Sequence, residues 1–422
     1  MNIPPVVLLV ANVLPGLGGC QSYWAEVKVR GACFHSVNFH PRVAGPRRNM
    51  DFSIIIPLEF HRGLSGRCIE GWSRCQTYPR DRFQIIVVAP DTCSDRELQD
   101  IRALLQPQDS LLTRPHHHDM PLMADGAREA RGANLFFTEA HCLPNPETLE
   151  QAAAVLLEEP GWAGFSCRSI PITHNLLSEI EAEMYDAHIK ENMTRHPWLK
   201  VLDQCLVLRR EAYLSCGGIE PEYGHFAEWV IAARLHQSRN VIGYHTTPAI
   251  RHYYIGKLAD LEEFTEDFSR GEMRFQTRGM RNDCRGLFPL PHELAVGRAR
   301  CPGCAAALCG MLLRDLGQRL AGPGRLAAIR GWDWKGYARW KESVVSWRAQ
   351  RLGLRAAIFF LRQLVRLNLL FKNKVRARAA FLNLIAARVR SGRLGYVIEE
   401  LHRDEHPGKH GFCGKSESFS EG

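Results

Sequence analysis

No run in this chain approaches the roughly 20 apolar residues of a membrane-spanning helix, although 45% of its 422 residues are apolar. The apolar stretch from Val6 to Leu14 is short and has no basic residue before it, so it reads poorly as a secretory leader. Cysteine is present without a framework. The 14 cysteines are scattered, which argues for reduced thiols in a cytoplasmic setting rather than a disulfide-stapled secreted domain. Cys301 and Cys304 form a CxxC with no second pair to complete a zinc site. Acidic residues are scarce in one place only. From Val296 to Glu400 about 21 basic residues stand against about five acidic ones, while the formal charge of the whole chain is +9. A basic tail on a mildly acidic body, without a recognised reading module, argues against a nucleic-acid partner.

What is there has globular composition and a length suited to two or three domains. Residues 1–49 read as an extension of indistinct structure, and Met50, just before the first clear strand, is an alternative start. Phe52–Pro57 is a β-branched run halted by proline, and Phe83–Val88 is a second run of the same kind; both read as buried parallel strands. Helical spacing lies between them, from Arg67 to Thr77, and again from Arg96 to Leu105. Leu135–Phe137 is a third short strand, preceded by a helix over Asp125–Arg131 and followed by one over Pro146–Glu158. Alternating strands and helices predict a doubly wound α/β sheet, whose ligands sit beyond the carboxyl ends of the strands.

Two positions carry chemistry-bearing residues with more than one reading. Glu139 and His141 end the third strand; two apart in extended chain, they point the same way and either reach one cation or form a solvated rim pair. Glu228 opens a helix after the Gly217-Gly218 turn, where the helix dipole alone accounts for a carboxylate. His116–His118 reads as a solvated loop, because three adjacent side chains cannot share a face.

Taken in order, these pieces resemble the family 2 glycosyltransferases, nucleotide-sugar enzymes of the GT-A fold. The matching residues are Ser53–Pro57, Gln76–Pro79, Ile85–Val88, Leu135–Pro144, Leu208–Ala212 with Gly217-Gly218-Ile219, Phe226–Leu235, and Gly243-Tyr244 through His252. The resemblance spans roughly residues 52–256. It implies transfer of a sugar with inversion from a nucleotide sugar, a UDP-sugar by preference, to a lipid-linked or polysaccharide acceptor. Pro57 and Glu59 would face the nucleoside, Asp91 would grip its base, and Asp125 and Arg128 would touch the nucleotide. Glu139-Ala140-His141 stands where the family carries Asp-x-Asp, with His252 a late histidine approaching the same divalent cation. That cation would be Mn2+ or Mg2+, imidazole suiting Mn2+ better. Ala227-Glu228 stands where the family has Glu-Asp, and Glu228 matches the catalytic base. Arg234 and Arg251 are rim cations or structural ion-pair partners, and His174 and Trp198 are acceptor-side candidates. The departures at Glu139, His141 and Ala227 also admit a catalytically silent relative that binds nucleotide sugar or a partner enzyme as a scaffold.

These readings divide the chain into the extension 1–49, a GT-A domain over 50–290, a basic helical region over 291–401 and a polar tail over 402–422. In the basic region Leu354, Ile358, Leu361, Val365 and Leu369 recur at helical steps, with Arg355, Arg362 and Arg366 on another flank. Such a helix either lies on an anionic membrane, at the inner face of the cell membrane, or packs as an ordinary amphipathic helix. The nearby Trp332, Trp334 and Trp340 favour the membrane.

Overall fold

The computed structural model describes residues 50–59, 62–194, 196–198, 200–278, 337–370 and 374–405. The extension 1–49, the boundary near 290, the Cys301/Cys304 pair, Trp332, Trp334 and the tail beyond 405 lie outside the described residues.

Eight strands form one mixed sheet. In chain order they are β1 (Phe52–Pro57), β2 (Phe83–Pro90), β3 (Ser110–Arg114), β4 (Asn134–Thr138), β5 (Cys142–Pro144), β6 (Trp162–Ile172), β7 (Cys205–Arg209) and β8 (Val241–Tyr253). Their spatial order is β3-β2-β1-β4-β7-β6-β8-β5. β3, β2, β1 and β4 run parallel, and β7 pairs antiparallel with both β4 and β6. The helices of the sheet region are α1 (Ser65–Ser73), α2 (Asp95–Arg102), α3 (Asp119–Glu129), α4 (Thr148–Glu158), α5 (Leu176–His188), α6 (Arg210–Ser215), α7 (Ala227–Gln237) and α8 (Leu258–Arg278). This is the mixed α/β architecture that the alternating pattern predicts.

The continuous apolar runs of β1 and β2 arise because both faces of the sheet are covered. Ile54 and Ile56 face one way, into a core with Trp72, Phe136 and Leu149; Ile55 faces the other, with Met123, Ala127 and Phe137. Gly126 lets α3 approach β1 closely, since a Cβ there would meet Ile55 Cγ2 at 2.6 Å. Helix α3 starts at Asp119, six residues before the sequence pattern shows one; its first turn carries Pro121, which reads as a break in sequence but is tolerated where the backbone N–H needs no helical partner. β3, β6 and β7 are not apparent in the sequence. The sheet order turns back at β1, with β2 on one side and β4 on the other, and such a switch point opens a crevice at the strands' carboxyl ends.

The chain ends in two long helices, α9 (Tyr337–Leu370) and α10 (Lys374–Glu405), so helix continues past Leu401. They form a hairpin: Leu354 packs near Leu394, and Val365 near Ala380. Helix α10 inserts Ala377, Phe381, Ile385 and Val389 against α5 and α8. Acidic α8 also neutralises part of the basic tail. Arg388 Nε donates to Glu262 at 3.1 Å, Arg393 Nη2 to Glu272 at 2.7 Å, and Arg362 Nε lies 2.8 Å from Glu262. No helix among the described residues is long and apolar enough to cross a membrane.

Candidate active site

A turn and not extended chain places the first two site residues, with the Cys142 N–H donating to the Glu139 carbonyl at 3.0 Å, and strand register brings in the third. β4 ends at Thr138, so Glu139 and His141 leave the sheet at the carboxyl end of a strand beside the switch point. β5 then pairs antiparallel with β8, with Cys142 opposite His252. Three atoms converge as a result. His141 Nε2 lies 3.0 Å from His252 Nε2, and Glu139 Oε2 lies 3.1 Å from His141 Nε2 and 3.4 Å from His252 Nε2. Cys142 Sγ is 3.7 Å from Glu139 Oε2.

The donor set fits a divalent cation. Separations of 3.0–3.4 Å are those between ligands of a small cation whose bonds are roughly 2.0–2.2 Å. Burial pushes His141 down to about 4, against the pull of Glu139. Burial would raise the Glu139 carboxyl, but His141 and His252 outweigh it and hold the carboxyl well below the usual range. The Nδ1 atoms of both histidines are buried without a hydrogen-bond partner among the described residues. Their polar interactions are therefore concentrated at the converging Nε2 atoms.

The triad opens into a cleft of about 230 Å3, whose lining includes Asp119, Lys200, Asp203, His225 and Glu228. Glu228 sits in the first turn of α7 with both carboxylate oxygens engaged. Oε2 is 2.5 Å from Lys200 Nζ, and Oε1 accepts from the Asp203 backbone N–H at 3.0 Å. Burial works against the Lys200 charge, but Glu228 and Asp203 outweigh it and raise its pKa above the ordinary value. The neighbouring Asp203 carboxyl is driven well up by burial, then by Glu228 and Glu139. Asp119, Asp203 and His225 form a second buried group, their ligand atoms within 4.8 Å of one another. The lining also has an apolar part, with Phe264 and Phe268 from α8 and Phe381 and Ile385 from α10.

The residues expected to face the nucleotide lie elsewhere along the rim. Pro57 is buried, in register with Val88. Glu59 follows it, and burial, then Asp119, Glu263 and Asp267, push its carboxyl up to about 9. Asp91 is exposed beyond β2, and Asp125 is buried on α3, paired with Arg128 and with Arg114 Nε at 3.3 Å. The three histidines of the loop before α3 fan out to three of these carboxylates: His116 to Asp125 at 3.6 Å, His117 to Asp91 at 3.8 Å and His118 to Glu59 at 3.8 Å. They are half exposed and share no face. Glu139, His141, His252 and Glu228 thus meet in one cleft, while Asp91, Asp125 and Arg128 are not part of its lining.

Several expectations find other roles. Arg234 is structural: Nη2 pairs with Glu220 at 2.5 Å and Nη1 donates to the Cys216 carbonyl at 3.2 Å, bracing the Gly217-Gly218 turn, whose φ angles are +90° and +72°. His174 stacks on Tyr253 at 4.3 Å and Trp198 on His236 at 4.2 Å, and neither lines the cleft. Asp119, Lys200, Asp203 and His225 are cleft residues that the sequence analysis does not single out. Only Asp203 carries a local sign, a carboxylate two residues before an apolar strand.

No family model matches this chain, and no curated relative does. Among solved structures, it is similar to the mannosyltransferase PcManGT from Pyrobaculum calidifontis in complex with GDP-Man and Mn2+. That likeness has 16% identity and a TM-score of 0.48, over 83% of this chain and 90% of that one. It is also similar to S. aureus TarS 1–349 in complex with UDP-GlcNAc, with 14% identity and a TM-score of 0.41, over 84% of this chain and 92% of that one.

Proposed function

We propose that this protein is an inverting glycosyltransferase of the family 2 type, taking a sugar from a nucleotide sugar, preferably UDP-linked. The observation that carries the reading is the convergence of Glu139, His141 and His252 at the sheet's switch point, in one cleft with Glu228. Glu139, His141 and His252 would hold the divalent cation, Mn2+ or Mg2+. When bound, it supplies positive charge to offset that on the leaving diphosphate.

Glu228 takes the proton of an acceptor hydroxyl as that oxygen attacks the anomeric carbon. The bond from that carbon to the diphosphate oxygen breaks on the opposite side, so configuration inverts. Lys200 and the Asp203 N–H hold the Glu228 carboxylate in one orientation. The rim residues Pro57, Glu59, Asp91, Asp125 and Arg128 are assigned to the nucleotide.

The apolar part of the lining, Phe264, Phe268, Phe381 and Ile385, suits an acceptor with a hydrocarbon part, which favours a lipid-linked acceptor over a free polysaccharide. Such an acceptor places the protein peripherally at the inner face of the cell membrane. The domain division at about 290 belongs to the same reading.

A second reading is a scaffold that binds nucleotide sugar without turnover. It draws support from Glu228 itself, both of whose oxygens are already engaged. The deciding experiment is transfer from a panel of nucleotide sugars to membrane extract, with Mn2+, Mg2+ or chelator, beside Glu228→Gln. Donor-specific turnover lost in the variant supports the transferase; donor binding with no turnover by either protein supports the scaffold.

A further inference from the structure

Helix α9 carries apolar residues on two faces. Leu354, Ile358, Leu361 and Val365 turn inward and pack against α10 and its surroundings. The stripe that the sequence offers to a membrane is therefore a packing seam. Arg362, on the flank beside it, is spent on Glu262.

The outward face is a different set. Leu352, Phe359, Phe360, Leu364 and Leu367 are 48 to 68% exposed. Successive steps of seven, one, four and three residues keep them within one side of a helix with 3.6 residues per turn. The rings of Phe359 and Phe360 stand edge-on at 5.7 Å. Five of the ten exposed large hydrophobics among the described residues lie on this one helix. Scattered singly they would mean nothing, but gathered in a stripe they mark a contact surface.

Charge selects the occupant. Exposed Arg355 and Arg366, three turns apart, border the stripe, and no Asp or Glu occurs from 343 to 398. A second copy docked by the same face would bring the arginine rows together without a counter-charge. An anionic lipid surface supplies that counter-charge, and arginine stems reach past apolar side chains to headgroups. We propose that the outer face of α9, Leu352, Phe359, Phe360, Leu364 and Leu367 bordered by Arg355 and Arg366, lies in the interface of an anionic phospholipid bilayer and anchors the protein there. This surface is independent of what the cleft transfers.

The test is flotation of the full chain with phosphatidylcholine vesicles, with and without phosphatidylglycerol, at low and high salt. Wild type is expected to float with the anionic vesicles. The combined variant Phe359→Ser/Phe360→Ser/Leu364→Ser should lose about tenfold or more in partitioning. Arg355→Gln/Arg366→Gln should lose the preference for phosphatidylglycerol and most of the salt sensitivity. All five positions are exposed, so circular dichroism and melting temperature should match wild type. No flotation of wild type, or undiminished flotation of the triple serine variant, overturns the proposal. So does a dimer in sedimentation equilibrium that this variant dissolves. None of these readouts requires turnover, so a failed transfer assay leaves them intact.

Discussion

His252 Nε2 stands 3.0 Å from His141 Nε2, although 111 residues separate them in the chain. The contact exists because β8 returns alongside β5 with His252 opposite Cys142. A slip of one residue in that register would turn the imidazole to the other face of the sheet.

Cation binding should depend on all three converging side chains. His141→Ala, His252→Ala and Glu139→Ala are each expected to weaken Mn2+ binding by about 10–100-fold or more, since losing an outer-shell partner alone costs that much. Calorimetric titration of purified protein reads this without any need for activity. Unchanged affinity in all three variants would remove the site.

Lys200 and Glu228 form a buried pair, with side chains 15% and 5% exposed. Lys200→Met leaves a buried carboxylate without its counter-charge and should cost about 3–5 kcal/mol of stability. The double variant Lys200→Met/Glu228→Gln should recover much of that. Urea unfolding of the four proteins of the cycle measures the coupling, and strict additivity would show that the pair is not coupled in solution.

Gly126 is a packing constraint on the helix that carries Asp119 and Asp125. Its added Cβ would also lie 3.1 Å from Val88 Cγ2, so Gly126→Ala should destabilise by about 1–3 kcal/mol through overpacking. Thermal melts would reveal it, whereas a gain in stability would mean that α3 has room to move off β1.

Stability should also respond to pH through Glu59. Burial and the carboxylates of Asp119, Glu263 and Asp267 push it from 4.5 up to about 9. The folded chain therefore keeps a proton that the unfolded chain has released. Stability is lost as pH rises from about 4.5 towards 9. Glu59→Gln removes that contribution, so its melting temperature relative to wild type should climb across the window. Parallel pH profiles for the two proteins would show that Glu59 is ionised in the fold.

Much of the fold could be read locally. Ile54–Ile56 and Ile85–Val88 announce buried strands because both faces of a covered parallel sheet demand apolar residues, and that signal is continuous along the chain. β6 mixes polar with apolar residues, β7 is a run of only five, and their partners, antiparallel across β6–β7 and β4–β7 but parallel across β6–β8, come from distant segments, so no local period marks the pairing. Glu139, His141 and Glu228 are visible locally as a strand end and a helix start, but those positions alone leave a structural reading open, and it is the resemblance that implies a cation site and a base there.

Pairing at a distance was beyond such signals. Lys200 and Asp203 carry no period of their own and gain meaning only where β7 and α7 bring them against Glu228. The apolar stripe of α9 is the sharpest case. Its period shows from the sequence alone that the helix is amphipathic, but two faces qualify. The docking of α10 buried Ile358 and Val365 and left Phe359 and Phe360 in solvent. Periodicity reports only that a residue lies on a face; which face meets protein is set by the shape of the partner surface, which is assembled from residues far apart in the chain.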